Sequence, residues 1–289
     1  MKHFYLILNP SKKGAVQLAE KIRKFLEERG CVCRIQGEFE EKRQDTYGCG
    51  YRYTDACRVP EDTECVITLG GDGTLIQAAR DLSGRGIPML GINMGQVGYL
   101  TQASGHEELT GFLKDLVADQ YHLEKRMMLK GTVIRSGTVI REEIALNEVV
   151  IARREMLRLL KLMVCVNGAP LNQYQADGII VATPTGSTAY NLSAGGPIVE
   201  PTAQMTILTP LCSHALNGRS IVLSAEAQLE IEVQGDDDEG QAAVFDGDTS
   251  VNLKVGDRLK IERSEIETVL VKLREISFLD NLRNKLSGI

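Results

Sequence analysis

The sequence predicts an α/β domain with a mainly parallel layered sheet, followed by a mainly antiparallel β-rich domain. Three observations carry this. As far as residue 121, short apolar runs alternate with amphipathic helical stretches. From residue 122 helical periodicity almost vanishes, and short strands follow one another with turn signals between them. The last segment then returns to a helical pattern. Strands separated by helices pair in parallel, whereas strands joined by tight turns pair antiparallel. The expected division is 1–121, carrying a GGDGT turn and joined by a C-terminal helix at 276–289, and 122–275 for the β-rich domain.

The elements follow in order. HFYLILN is a strand-length apolar run. KGAVQLAEKIRKFLEERG places Val16, Leu18, Ala19, Ile22, Phe25 and Leu26 at helical spacing and stops at Gly30. CVCRI and CVITL read as strands, separated by a polar, acidic, tyrosine-rich stretch at 37–64. TLIQAARDLSG reads as helix, IPMLGIN as strand and EELTGFLKDLVAD as helix. LKGTVIRSG, TVIREEIAL, EVVIAR, LLKLMVCVNG, GIIVAT, IVLS, LEIEVQ, AAVFDG and LKIERS are strands. In the terminal ISFLDNLRNKLSGI, Phe278, Leu279, Leu282 and Leu286 share a face, which is expected to bury itself on the first domain.

Composition narrows the function. The chain has 289 residues, 43% hydrophobic and 25% charged, which is globular usage with material for a large core. No apolar run approaches the ~18 residues that would suggest a membrane span, and the start reads as a first strand, not a secretory signal. The net charge of −6 argues against nucleic-acid binding. It also means that an anionic substrate must be held by local donors. Seven cysteines, an odd number, point to a reducing, cytoplasmic setting. Cys31 and Cys33 share a strand face, and Cys49, Cys57 and Cys65 are spaced by eight. Neither set has zinc spacing, and buried or loop thiols are the plainer reading.

Four segments carry chemistry. CVITL runs into Gly70-Gly71-Asp72-Gly73-Thr74 and a helix. Glycines let backbone approach a phosphate, and a helix start favours anions. An aspartate there makes sense if it faces a phosphate-bridging Mg²⁺ or a hydroxyl about to attack. The alternative is a tight turn capped by Asp. The next strand ends in a second glycine-rich turn, GINMGQVGYL, and ligands of open α/β sheets bind at such strand ends. Asn147-Glu148, opening EVVIAR, could grip two ribose hydroxyls or be a strand-edge turn. RREMLRLLK then offers Arg153, Arg154, Arg158 and Lys161, either as a solvated hairpin or as a phosphate contact. Finally, QADGIIVATPTGSTAYNLSAGGPIV follows a buried strand with small residues and hydroxyls. These would admit a planar base, with threonine donors for its ring nitrogens and Tyr190 for stacking.

GGDGT (70–74), GINMGQVGYL (91–100), NE (147–148) and DGIIVATPTGSTAYNLSAGGPI (177–198) together resemble the NAD kinases over most of the chain. The glycine-Asp turn alone is shared with diacylglycerol and sphingosine kinases and with phosphofructokinases. The TPTGSTAY block and the NE pair are more specific. The resemblance implies transfer of the γ-phosphoryl group of ATP to the 2′-hydroxyl of the adenosine ribose of NAD. It implies Asp72 as catalytic base with Gly73 beside it in the substrate site, and Asn147 and Glu148 as ribose contacts. Thr188, Ala189 and Tyr190 match the adenine pocket, which continues through Asn191 and Leu192 to Ser193. Asp177 matches a residue reaching the nicotinamide end, often from a neighbouring subunit. Arg158 falls at a contact position of variable identity, and His214 matches a histidine near the phosphates. Asp248 stands where the family has a Gln contact, and Gln175 where some members carry an Arg that bears on NAD against NADH.

The resemblance further implies Mg²⁺ or another divalent cation carried with the donor, no metal site in the protein, and ATP or polyphosphate as donor. Charge and the lack of a long apolar run predict no nucleic-acid or membrane partner, and the resemblance implies a homodimer or homotetramer with shared sites. Three alternatives share single features: a lipid kinase and a phosphofructokinase-like sugar kinase using the same glycine-Asp turn, and a non-catalytic NADP-binding module. Vesicle affinity would mark the first, sugar-phosphate-dependent ATP turnover the second, and dinucleotide binding without turnover the third.

Overall fold

A computed structural model describes residues 1–37, 54–95, 98–102, 106–154, 159–214, 218–235, 240–273 and 278–286. Cys49, Arg158, most of the polar stretch 37–64, residues 96–97 of the second glycine-rich turn and the Leu286 side chain lie outside the described residues.

In chain order the main elements are β1 (His3–Leu8), α1 (Ala15–Glu27), β2 (Val32–Ile35), β3 (Cys65–Gly70), α2 (Asp72–Asp81), β4 (Met89–Asn93), α3 (His106–Val117) and β5 (His122–Arg135). There follow β6 (Thr138–Ala145), β7 (Glu148–Arg153), β8 (Leu160–Val166), β9 (Ala169–Ala176), β10 (Gly178–Ala182), the short α4 (Tyr190–Ser193) and β11 (Met205–Leu211). The last are β12 (Ile221–Ser224), β13 (Leu229–Gln234), β14 (Gln241–Phe245), β15 (Thr249–Leu253), β16 (Arg258–Lys272) and α5 (Phe278–Leu286). The chain divides into two compact units. Of the described residues, one takes those up to Lys125 and from Glu267 onward; the other takes those within Arg126–Ile266.

In the first unit the sheet order is β2-β1-β3-β4, every pair parallel, and Leu270 near the end of β16 pairs parallel with Met89 of β4. β3 is buried at every position, as a central parallel strand must be, and its sequence CVITLG has no polar face to show. The strand order reverses at β1/β3, so the loops leaving the carboxyl ends of these strands start beside one another. α1 buries Ala15, Ala19, Ile22 and Leu26, one stripe at helical spacing, the last three in a cluster with Phe4, Leu6, Ile67, Phe112 and Leu116. Cys33 and Cys65 flank Phe4 in register across β2-β1-β3. Burial pushes each of these two thiols up to about 12, so neither is a nucleophile at neutral pH.

The second unit is a sandwich. An antiparallel sheet in the order β12-β11-β10-β7-β14-β15 supplies one layer. The start of β16, then β13, β8 and β9, with the β5-β6 hairpin, supply the other strands. Alternate residues from both sets meet in one core that includes Leu129, Val149, Ile151, Leu162, Ile179, Val181, Ile231 and Phe245.

One boundary differs from the sequence expectation. The helix after β3 starts at Asp72, inside the GGDGT string, with extended Gly71 (φ −114°, ψ −171°) as its cap residue. An aspartate in a first turn is favoured by the helix dipole. None of these glycines has a positive φ, so conformational freedom is not why they are there. Among the described residues no helix is long and apolar enough to cross a membrane.

The buried stripe of α1 sets an expectation for stability. Ile22→Ala should lower unfolding free energy by about 2–5 kcal/mol through transfer and cavity terms. Val16→Ala, on the exposed face of the same helix, should change it by less than about 0.5 kcal/mol. Urea unfolding followed by circular dichroism checks both; equal effects would mean that α1 does not pack as described.

Candidate active site

In the first unit the site is built on Asp72. Its carboxylate accepts four hydrogen bonds from the segment after β4. Oδ1 takes the Leu100 N–H (3.3 Å), the Thr101 N–H (3.0 Å) and the Thr101 hydroxyl (2.9 Å), and Oδ2 takes the Tyr99 N–H (2.7 Å). Thr101 is held in turn, since its hydroxyl accepts from Asn93 Nδ2 (3.0 Å) and the Gly98 N–H (3.3 Å). Gln102 ties the segment down through its amide N–H to the Val271 carbonyl (2.5 Å) and its amide oxygen to the Leu273 N–H (3.0 Å). Oδ1 is saturated, while Oδ2 keeps acceptor capacity for one more donor.

The glycines divide by what occupies their missing side chains. A Cβ on Gly98 would run into the Asp72 carboxylate, and one on Gly70 would meet Thr74. These two glycines make room for the protein's own atoms. Beside Gly71 and Gly73 the space is open. Asp72 and Gly73 precede the first intrahelical bonds, which run from Thr74 and Leu75 to the Gly71 carbonyl. Their N–H groups therefore lie at the donor-rich end of α2.

In the second unit, Asn147 precedes β7 and Glu148 opens it, beside the ends of β10 and β14. The Thr183 N–H donates to the Asn147 carbonyl (2.8 Å), and the Thr183 hydroxyl to the Leu146 carbonyl (2.6 Å). A Cβ on Gly186 would collide with the Asn147 carbonyl, so Gly186 is the residue that lets the following loop lie against this turn. Glu148 is buried, and its Oε2 meets no hydrogen-bond partner among the described residues. Burial, reinforced by the charge of Asp246, pushes its carboxyl up to about 8; the Tyr190 N–H opposes the rise. At neutral pH Glu148 is mainly protonated, able both to donate and to accept.

The loop from Thr183 to Pro197 differs from expectation in its hydroxyls. Thr183, Thr185 and Ser187 are buried. Thr185 accepts from the buried Arg126 (3.2 Å), and Ser187 both donates to the Val199 carbonyl (3.1 Å) and accepts its N–H (3.0 Å). The Thr183 and Ser187 hydroxyls spend their protons on carbonyls, so neither is a donor for a base's ring nitrogens, whereas Thr185 is engaged as an acceptor. Asn191 also points inward. Its amide donates to the Ser187 and Pro197 carbonyls (3.2 and 3.1 Å) and accepts from the Thr209 hydroxyl (2.7 Å), and Gly196 leaves room for it. Tyr190 is exposed by 47%. Ser193 is exposed, and Thr188, Ala189 and Leu192 are half-buried.

The structure separates two other candidates from this loop. Asp177 precedes β10 whereas Thr183 follows it, about 20 Å apart along the strand. Asp177 pairs with Arg153 (3.0 Å), and His214, after β11, donates its N–H to the Gln175 carbonyl (2.9 Å) at the same end. Asp248, in the turn after β14, lies at the Glu148 end and donates its N–H to Phe245 (3.0 Å). Thr101, Arg126 and Asp246 escaped the sequence reading. Thr101 and Arg126 sit in unremarkable strings, and Asp246 carried only a turn signal. Among the described residues no three His, Cys, Asp or Glu side chains gather as a metal site.

The Glu148 environment sets the sign of a pH effect. In the unfolded chain a glutamate ionises near ~4.3, whereas in the folded protein Glu148 keeps its proton up to about 8. The folded state therefore binds more protons across this window, and stability falls as pH rises through it. Glu148→Gln should match the parent below about pH 4 and exceed it by a few kcal/mol at pH 8. Thermal unfolding across pH checks this; a constant difference would show that Glu148 ionises normally.

Family models described as the ATP-NAD kinase N-terminal domain and the ATP-NAD kinase C-terminal domain match residues 4–121 and 146–273. An NAD kinase from Lachnospira eligens is 44% identical over 302 residues, covering 99% of this chain and 100% of the relative. The crystal structure of yeast NADH kinase complexed with NADH shares the fold, with a TM-score of 0.84 at 24% identity over 100% of this chain and 88% of that one. An NAD kinase from Archaeoglobus fulgidus in complex with ATP gives a TM-score of 0.75 at 26% identity over 99% of each chain. Matched in both halves and along its full length, the chain belongs to the ATP-NAD kinase family of phosphotransferases.

Proposed function

We propose that this chain phosphorylates NAD at the 2′-hydroxyl of its adenosine ribose, with ATP as donor, giving NADP and ADP. Beyond family membership, the observation that carries the reading is the Asp72 carboxylate. It is held by four donors at a strand-to-helix turn, with acceptor capacity left on Oδ2 and open space beside Gly71 and Gly73. The hydroxyl oxygen bonds to the γ-phosphorus as the bond to the ADP oxygen breaks, and the hydroxyl proton passes to Asp72. A carboxylate is too weak a base to remove that proton beforehand, so Asp72 orients the hydroxyl and accepts the proton late. The transition state is loose, so alignment and charge neutralisation dominate.

Asn147 and Glu148 hold the ribose hydroxyls, with the unpartnered Glu148 Oε2 as one contact. Tyr190 stacks on the adenine, and Thr188, Ala189, Leu192 and Ser193 line its surroundings, while Asn191 keeps the loop in shape. We assign the α/β part, residues 1–121 with the terminal helix, to the phosphoryl-transfer turn, and 122–275 to nucleotide binding. Mg²⁺ enters with the donor phosphates as part of the substrate. The position of Asp177 at the far end of β10 supports a homo-oligomer in which it serves a neighbouring copy's nicotinamide end, and His214 is assigned to the phosphates. Free thiols at all described cysteines fit a reducing cytoplasm.

A coupled assay for NADP tests the reading, with NAD or NADH as acceptor and ATP or polyphosphate as donor; no product from any pairing overturns it. Asp72→Asn should fold and bind NAD but lose about 10²–10⁴-fold in kcat; a near-normal rate removes Asp72 from the mechanism. Tyr190→Ala should raise the NAD KM more than it lowers kcat, and an unchanged KM would make Tyr190 a bystander.

A further inference from the structure

The turn joining β14 to β15 contains Asp246-Gly247. Both residues have positive φ, 49° and 69°, and the Asp248 N–H closes the turn on the Phe245 carbonyl. Asp-Gly suits such a hairpin turn, and the turn alone would account for the residue type. The side chain does something the turn does not require. It reaches a segment 98 to 100 residues earlier, taking the Leu146 N–H on Oδ2 (2.8 Å) and the Asn147 and Glu148 N–H groups on Oδ1 (2.8 and 3.0 Å). The Asp246 N–H returns a bond to the Glu148 carbonyl (3.0 Å). The entry to β7 is thus gripped from the β14 side by one carboxylate and from the β10 side by Thr183. Bonds from three successive N–H groups to one carboxylate fix the backbone of all three residues, and hence where the Asn147 and Glu148 side chains start.

We propose that Asp246 is a positioning residue for the acceptor nucleotide, gathering three backbone N–H groups to fix the turn that presents Asn147 and Glu148 to the ribose. This rests on the reading that those two residues hold NAD. Asn is the fold-preserving variant, because it tolerates the left-handed backbone and keeps one oxygen acceptor while giving up the charge. Asp246→Ala is the harsher one.

Steady-state kinetics of the full chain, with NAD varied at saturating ATP, give the test. Asp246→Asn should raise the NAD KM by about tenfold, with kcat changed less than about threefold and the ATP KM unmoved. In an Asn147→Ala/Glu148→Gln background the same change should add less than about twofold, because the groups that Asp246 positions are gone. A role confined to hairpin stability would lower the active fraction and so the apparent kcat at constant KM; that outcome overturns the proposal. If the wild-type chain formed no NADP, the functional reading would be at fault. NAD binding to wild type and Asp246→Asn by calorimetry would then still decide, an equal Kd overturning the role of Asp246.

Discussion

A carboxylate withdrawn from water must be met by donors or give up its charge, and three acidic side chains here meet that constraint in different ways. Asp72 is met by three backbone N–H groups and a hydroxyl from one short segment. Asp246 is met by three successive backbone N–H groups. Glu148 has too few, and lies close enough to Asp246 to feel its charge, so it holds a proton. The first two are anchored by donors. The third is a neutral group with an open oxygen, the state suited to meeting a ligand's hydroxyls.

The same distinction runs through the glycines. Gly70, Gly98, Gly186 and Gly196 are small because Thr74, Asp72, the Asn147 carbonyl and Asn191 occupy the space a side chain would need. Gly71 and Gly73 face open space. A glycine-rich string thus mixes residues that admit the protein's own polar groups with residues that leave a ligand room. The hydroxyls behave likewise: those of Thr183 and Ser187 donate to the Leu146 and Val199 carbonyls and that of Thr185 accepts from Arg126, while Tyr190 and Ser193 lie at the surface. These bonds tie the loop to its neighbours and leave only a few of its polar groups exposed.

Strand geometry decides which candidates act together. β7, β10 and β14 bring Asn147, Glu148, Thr183 and Asp246 to one end of their sheet because the chain enters β7 where it leaves β10 and β14. Asp177 is only six residues before Thr183, yet those residues are extended and carry it to the opposite end. Nearness in sequence is a poor guide to nearness in space within a strand.

Much of the architecture was legible beforehand. Parallel and antiparallel halves follow from whether helices or turns separate the apolar runs, and the stripe of Ala15, Ala19, Ile22 and Leu26 from helical spacing. Asp72 and Asn147-Glu148 were also legible, since polar residues at the ends of buried strands stand out against their apolar context. Sequence alone starts α2 at the end of the GGDGT string, two residues late, because glycines at a helix cap mimic a loop. The sequence by itself determined the alternation of elements and the chemistry offered at the strand ends, because both are local. Only the tertiary structure decided which donors were already taken and that Asp246 grips the entry to β7 from about a hundred residues away, because hydrogen bonds between distant segments leave no periodicity in the chain.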